Sequence, residues 1–153
     1  MTAIAQSIFD VAPLGAIIRY SDGTPRPPDR FKRKVQAWET RNGKGQLTQR
    51  SPAGTGQYPY PATFTLHEGD YGSGETIVLS VNKIFSVSDA RTFEIVRIPP
   101  PGAALVLQEW EGHRELLHVA AGDAAATAWL GRHGYSRAYV EIVGDPEPVA
   151  TAA

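Results

Sequence analysis

Residues 77–87, Ile-Val-Leu-Ser-Val-Asn-Lys-Ile-Phe-Ser-Val, alternate along their length. Ile77, Leu79, Val81, Phe85 and Val87 fall on one face, and Ser80, Asn82 and Ser86 fall on the other. A period of two is the signature of a strand with one buried face. Eleven residues of it cannot sit in a helix without scattering the apolar groups around the surface. The run therefore reads as a half-buried antiparallel strand with a core beneath one face. Lys83 is the exception, a cation at a position the pattern assigns to the apolar face.

Similar reasoning extends the sheet in both directions. Residues 14–20, 46–50, 62–67, 92–98, 103–110, 115–119 and 137–143 read as strands, separated by turn chemistry such as Ser21-Asp22-Gly23-Thr24 and Pro99-Pro100-Pro101-Gly102. Glu68-Gly69-Asp70-Tyr71-Gly72-Ser73-Gly74 reads as a turn. Two segments have helical spacing. In 30–41, Phe31, Val35 and Trp38 lie at i, i+4 and i+7, with Asp29 placed to cap the start and Asn42-Gly43 to stop it. In 123–133, Asp123 is placed as the cap, Ala125, Ala128 and Trp129 as the buried stripe, and Gly134 as the stop. The expected fold is α+β: a twisted, mainly antiparallel sheet of about five to seven strands packed with these two helices. Residues 1–10 and 145–153 read as loose tails around one domain spanning 11–144.

With 153 residues and 42% hydrophobic content, the chain is long enough to bury a core without a covalent or metal staple. It has no cysteine, which removes disulfides, thiolate metal sites and cysteine nucleophiles. The first residues lack the basic and apolar regions of a signal peptide, and no apolar run approaches the roughly 20 residues needed to cross a bilayer. A cytoplasmic protein without membrane contact is expected, and the Ala- and Gly-rich composition suggests a bacterial source.

The net charge of −1 hides a division. Residues 25–50 contain eight basic residues against Asp29 and Glu39, a net +6, whereas the rest of the chain holds seven basic and fourteen acidic residues, a net −7. Arg26, Arg30, Lys32, Arg33, Lys34, Arg41, Lys44 and Arg50 therefore form a candidate surface for an anion. Tyr58 and Tyr60, in the Gly- and Pro-rich loop that follows, are candidates for stacking on bases. The expected function is a non-enzymatic binding or regulatory protein that contacts nucleic-acid phosphates through 26–50. The same charges suit an acidic protein surface, which makes a regulator or inhibitor docking on a partner the alternative, and a solvated helix face is the plain structural explanation.

Two groups bear on a third reading, a small metal-dependent hydrolase or nuclease. His67, Glu68 and Asp70 fall within four residues, and Glu109, Glu111 and His113 alternate toward one face of a strand. The first spacing matches no established metal motif and the second group suits the exposed polar face and turn of a hairpin, so no metal and no cofactor are expected. Gly-x-Ser-x-Gly, Gly-x-Gly-x-x-Gly and the phosphate-loop pattern are absent. His118 reads as a residue of an apolar strand, and His133 as a cation at a helix C-terminus.

Overall fold

The computed structural model describes residues 2–73, 76–110 and 112–144. The fold is α+β, with antiparallel strands throughout, as the periodicities predict. The chain forms two compact units, Met1–Arg97 and Ile98–Ala153. Among the described residues no helix is long and apolar enough to cross a membrane.

The first unit contains β1 (Thr2–Ala3), α1 (Ala5–Val11), β2 (Ile17–Ser21), α2 (Lys32–Arg41), β3 (Gly43–Ser51), β4 (Thr63–Ser73), β5 (Thr76–Ser86) and β6 (Thr92–Arg97). Its strands run side by side in the order β1-β6-β2-β3-β4-β5. Alternation sends Ile18 and Tyr20 of β2, Phe64 and Leu66 of β4, Phe85 of β5 and Phe93 of β6 to the interior. Four of these rings form the centre of the core. Phe85 lies 4.9 Å from Tyr20, 5.5 Å from Phe64 and 5.6 Å from Phe93, centroid to centroid. β5 and β6 are far apart in strand order, so the Phe85–Phe93 contact requires the sheet to curl. Register shifts at Leu47/Gln49, His67/Gly69 and Tyr71/Gly72 supply that curl, because a bulge bends its strand and increases local twist.

Two differences from the sequence expectation arise here. Residues 68–73, read as a turn, continue β4, because Gly69 and Gly72 sit beside register shifts in the ladder rather than at a chain reversal. The N-terminal segment, read as a loose tail, holds β1 and α1. Thr2 pairs with Glu94 and Ala3 with Phe93, and Ala5, Ile8 and Ala12 are buried. Seven residues are too few for a periodic signal to emerge, and the burial comes from β6, distant in sequence.

The second unit contains β7 (Ala104–Trp110), β8 (His113–Ala120), α3 (Asp123–His133) and β9 (Ala138–Ile142). β7 pairs with both β8 and β9, antiparallel to each. β8 and β9 are therefore parallel strands separated by β7, joined through α3. Gly134 closes α3 in the left-handed region, at φ 67°, with its N–H bonded to the Leu130 carbonyl. At the other end the cap is Gly122, which has no side chain to offer, and Asp123 sits in the first turn instead. The buried stripe also differs: Ala125 and Ala128 are exposed. Ala126 is buried, and Trp129 and Leu130 pack with it against Val106 and Ala120. A one-residue rotation of an alanine-rich helix costs little in its own pattern, so the sheet beneath decides the face. Residues 145–153, read as a tail, lie outside the described residues.

Trp129 is the middle of a ring stack. His118 lies 4.8 Å, His133 4.0 Å and Tyr135 5.7 Å from it, all within 14° of parallel. Burial, reinforced by His133 and Arg132, holds His118 below the ordinary histidine value of 6.5. The folded state therefore resists a proton that the unfolded chain accepts, so stability is lost as pH falls through 6.5 and below. Thermal denaturation between about pH 8 and pH 5 checks this. His118→Gln should lose less stability than the wild type over that range; parallel declines would contradict it.

Candidate nucleic-acid interface

The basic segment is built around a helix attached mainly by its C-terminal end. α2 starts at Lys32 rather than Arg30, and Phe31, not Asp29, occupies its N-cap position, with no side-chain cap. Asp29 is engaged elsewhere, in an ion pair with Arg26. Only Val35 of α2 is buried. Phe31 is 39% exposed, with the Arg30 guanidinium 4.7 Å and the Lys34 ammonium 5.0 Å from its ring centre. The expected three-residue apolar stripe thus reduces to Val35 and a partly buried Trp38. The displaced start explains this: Phe31 precedes the helix instead of standing on its inward face.

The C-terminal end is held by polar contacts. Trp38 Nε1 donates to the Thr24 carbonyl at 2.9 Å. Buried Asn42 donates from Nδ2 to the Trp38 carbonyl and accepts the Asp22 N–H at Oδ1, both at 2.9 Å. Arg41 Nε meets Asp22 Oδ2 at 2.8 Å. Hydrogen bonds from the Thr24 hydroxyl and N–H, followed by Arg41, hold the Asp22 carboxyl well below the usual carboxylate range.

Beneath this end lies a group that the sequence reading did not assemble. Lys83 Nζ donates to the Thr40 carbonyl and to Tyr20 Oη, each at 2.9 Å, and stands 3.7 Å from Glu68 Oε1. The Tyr20 hydroxyl in turn donates to Glu68 Oε2. Burial, with Glu68 adding to it, raises the Tyr20 phenol far above its ordinary range, so it stays protonated and keeps donating. A Cβ on Gly43 would come within 2.8 Å of Tyr20 Oη, so this position needs glycine for lack of space. The signal for the cluster was present in the sequence as Lys83, the one cation on an apolar strand face. Its partners, 43 and 63 residues away, were not legible.

The ten candidate contact residues fall into separate places. Arg30, Lys32, Arg33 and Lys34 come together at the exposed start of α2. Among the described residues, no carboxylate pairs with any of these four. Arg26 and Arg41 are charge-compensated by Asp29 and Asp22. Lys44 is exposed on β3, directly opposite Arg19 of β2. Arg50 is half-buried near the far end of β3. Tyr58 and Tyr60, 81% and 61% exposed, belong to the loop beyond that end, which closes through a bridge between Gly54 and Tyr60. At about 3.3 Å per residue, the length of β3, roughly 26 Å, separates the tyrosine loop from the end of α2.

The acidic and histidine groups of the third reading are divided by the strands that carry them. Glu68 faces inward to Tyr20 and Lys83, and strand alternation turns its neighbour His67 to the opposite face. Glu109 is exposed opposite Arg114, while Glu115 bonds Gln108. Glu111 and the side chain of Asp70 lie outside the described residues. Among the described residues, no group of three or more His, Asp or Glu is arranged to hold a metal ion.

These features define a small α+β protein whose distinctive surface is a cationic helix start, backed by a polar anchor. The chain belongs to the family described as Uncharacterised conserved protein UCP036055, whose model matches residues 3–147. No curated protein and no solved structure matches the chain.

Proposed function

We propose that this protein binds nucleic acid without catalysing a reaction, gripping backbone phosphates through the start of α2. The observation that supports this reading is the placement of Arg30, Lys32, Arg33 and Lys34. They crowd the end of a helix where the backbone dipole is already positive, with no acidic residue in the first turn. Cations at that end each oppose the dipole by about 0.3–1 kcal/mol. An arrangement that is locally unfavourable for the free protein becomes favourable when an anion arrives. A helix attached mainly by its other end can present this group to an extended polyanion, and phosphate contacts of this kind confer affinity without reading bases. In this reading the protein acts as a cytoplasmic regulator.

Gel-shift titration against DNA and RNA across salt concentrations tests the reading. Roughly four phosphate contacts predict an affinity loss of about a hundredfold between about 50 and 200 mM salt, similar for unrelated sequences. Absence of binding at low salt would remove the reading. Salt-resistant association with one acidic protein would place the alternative, docking on a partner protein, above it.

A further inference from the structure

Beside the anchored end of α2 is an open cavity of about 340 Å³, lined by Trp38, Asn42, Tyr20, Gly43, Lys44 and Arg19 among others. This volume is at the small end of the range for ligand sites. Its lining combines an aromatic ring with two cations. The Trp38 indole is fixed in orientation by its bond to the Thr24 carbonyl. Arg19 and Lys44 stand directly opposite each other across β2 and β3, a like-charge pairing that is unfavourable in an antiparallel ladder. Glu94 offsets one of them, meeting Arg19 at 3.1 Å. Among the described residues, no carboxylate pairs with Lys44. Asn42, the one amide in the lining, already uses Nδ2 and Oδ1 within the fold.

We propose that the nucleic acid is single-stranded and that this cavity receives one unpaired base, stacked on Trp38 with its phosphate on Lys44 and Arg19. The inference rests on the nucleic-acid reading above and deepens it. A base inside a duplex has both faces covered by its neighbours, so an indole can stack only on a base that has left the helix. Asn42 is buried and its amide bonds Trp38 and Asp22, so stacking and charge carry the recognition, which tolerates any base. Lys44 lies beyond the C-terminal end of α2, so a strand that crosses the helix start and continues to β3 meets cations at both ends of its path.

The test compares an oligothymidylate of about twelve nucleotides with a duplex of the same length. The wild type should bind the single strand at least about tenfold more tightly. Trp38→Ala should remove most of that preference, by about tenfold or more, while leaving duplex affinity near the wild-type value. Lys44→Glu alters an exposed side chain and should likewise weaken the single strand more than the duplex. This variant decides the matter if circular dichroism shows Trp38→Ala to be unfolded. Equal affinity of the wild type for both forms would overturn the inference, as would a preference that survives both substitutions. In either case a duplex affinity abolished by charge reversal at the start of α2 would leave the nucleic-acid reading standing. A wild type that binds neither form would remove both.

Discussion

A variant with Arg30, Lys32, Arg33 and Lys34 all changed to glutamate is expected to lose nucleic-acid binding completely and to melt at nearly the wild-type temperature. All four side chains are exposed, so their replacement opens no cavity and strands no buried partner. The local terms oppose each other. Phe31 loses the cations over its ring, at about 0.5–1 kcal/mol each. Against this, each glutamate near the first turn replaces an unfavourable interaction with the helix dipole by a favourable one of about 0.3–1 kcal/mol. The balance is near zero, equivalent to a shift of a few degrees at most for a chain of this size. Binding responds very differently, because the patch changes by eight charge units and becomes repulsive to phosphate. The pair of measurements is a thermal melt and a gel shift at low salt. A folded variant that binds as well as the wild type would rule out the start of α2 as the contact.

The second large effect concerns the core of the first unit. Phe85→Ala should destabilise by about 3–5 kcal/mol, the range for truncating a buried aromatic, and Ile84→Ala by less than about 0.5 kcal/mol. The two residues are adjacent and both apolar, yet Phe85 touches Tyr20, Phe64 and Phe93, whereas Ile84 is 71% exposed. The upper part of the range applies to Phe85 because it joins β5 to β6 across the curled sheet, and Arg91 also packs over its ring at 4.9 Å. Losing it removes ring contacts to three strands together, which the remaining side chains cannot refill without undoing the curl. Urea denaturation of both variants measures the difference. Similar midpoints for the two would show that the ring cluster is not the core.

The alternation in residues 77–87 correctly identified Phe85 as inward, and it also placed Lys83 on that face without a reason for it. The reason is chemical and distant: Lys83 caps the last turn of α2 at the Thr40 carbonyl and meets Tyr20 and Glu68. Helix spacing located α2, but misjudged its first turn. Asp29 is a good cap by type, yet it pairs with Arg26, and the helix starts three residues later. In α3 the composition is so rich in alanine that several faces fit equally, and packing on β7 and β8 selected Ala126.

By itself, then, the sequence determined the antiparallel strands, the two longer helices, the glycine stop of α3 and the concentration of cations in residues 25–50. These follow from side-chain period, turn chemistry and charge, all of which act over a few residues. Only the tertiary structure decided the rest. It ordered the N-terminal segment through β6 and turned residues 68–73 into strand through bulges. It separated Tyr58 and Tyr60 from α2 by the length of β3, and set Trp38 beside Lys44 and Arg19. Each of these depends on register and sheet curl, which bring together residues tens of positions apart, and no local pattern encodes which residues will meet.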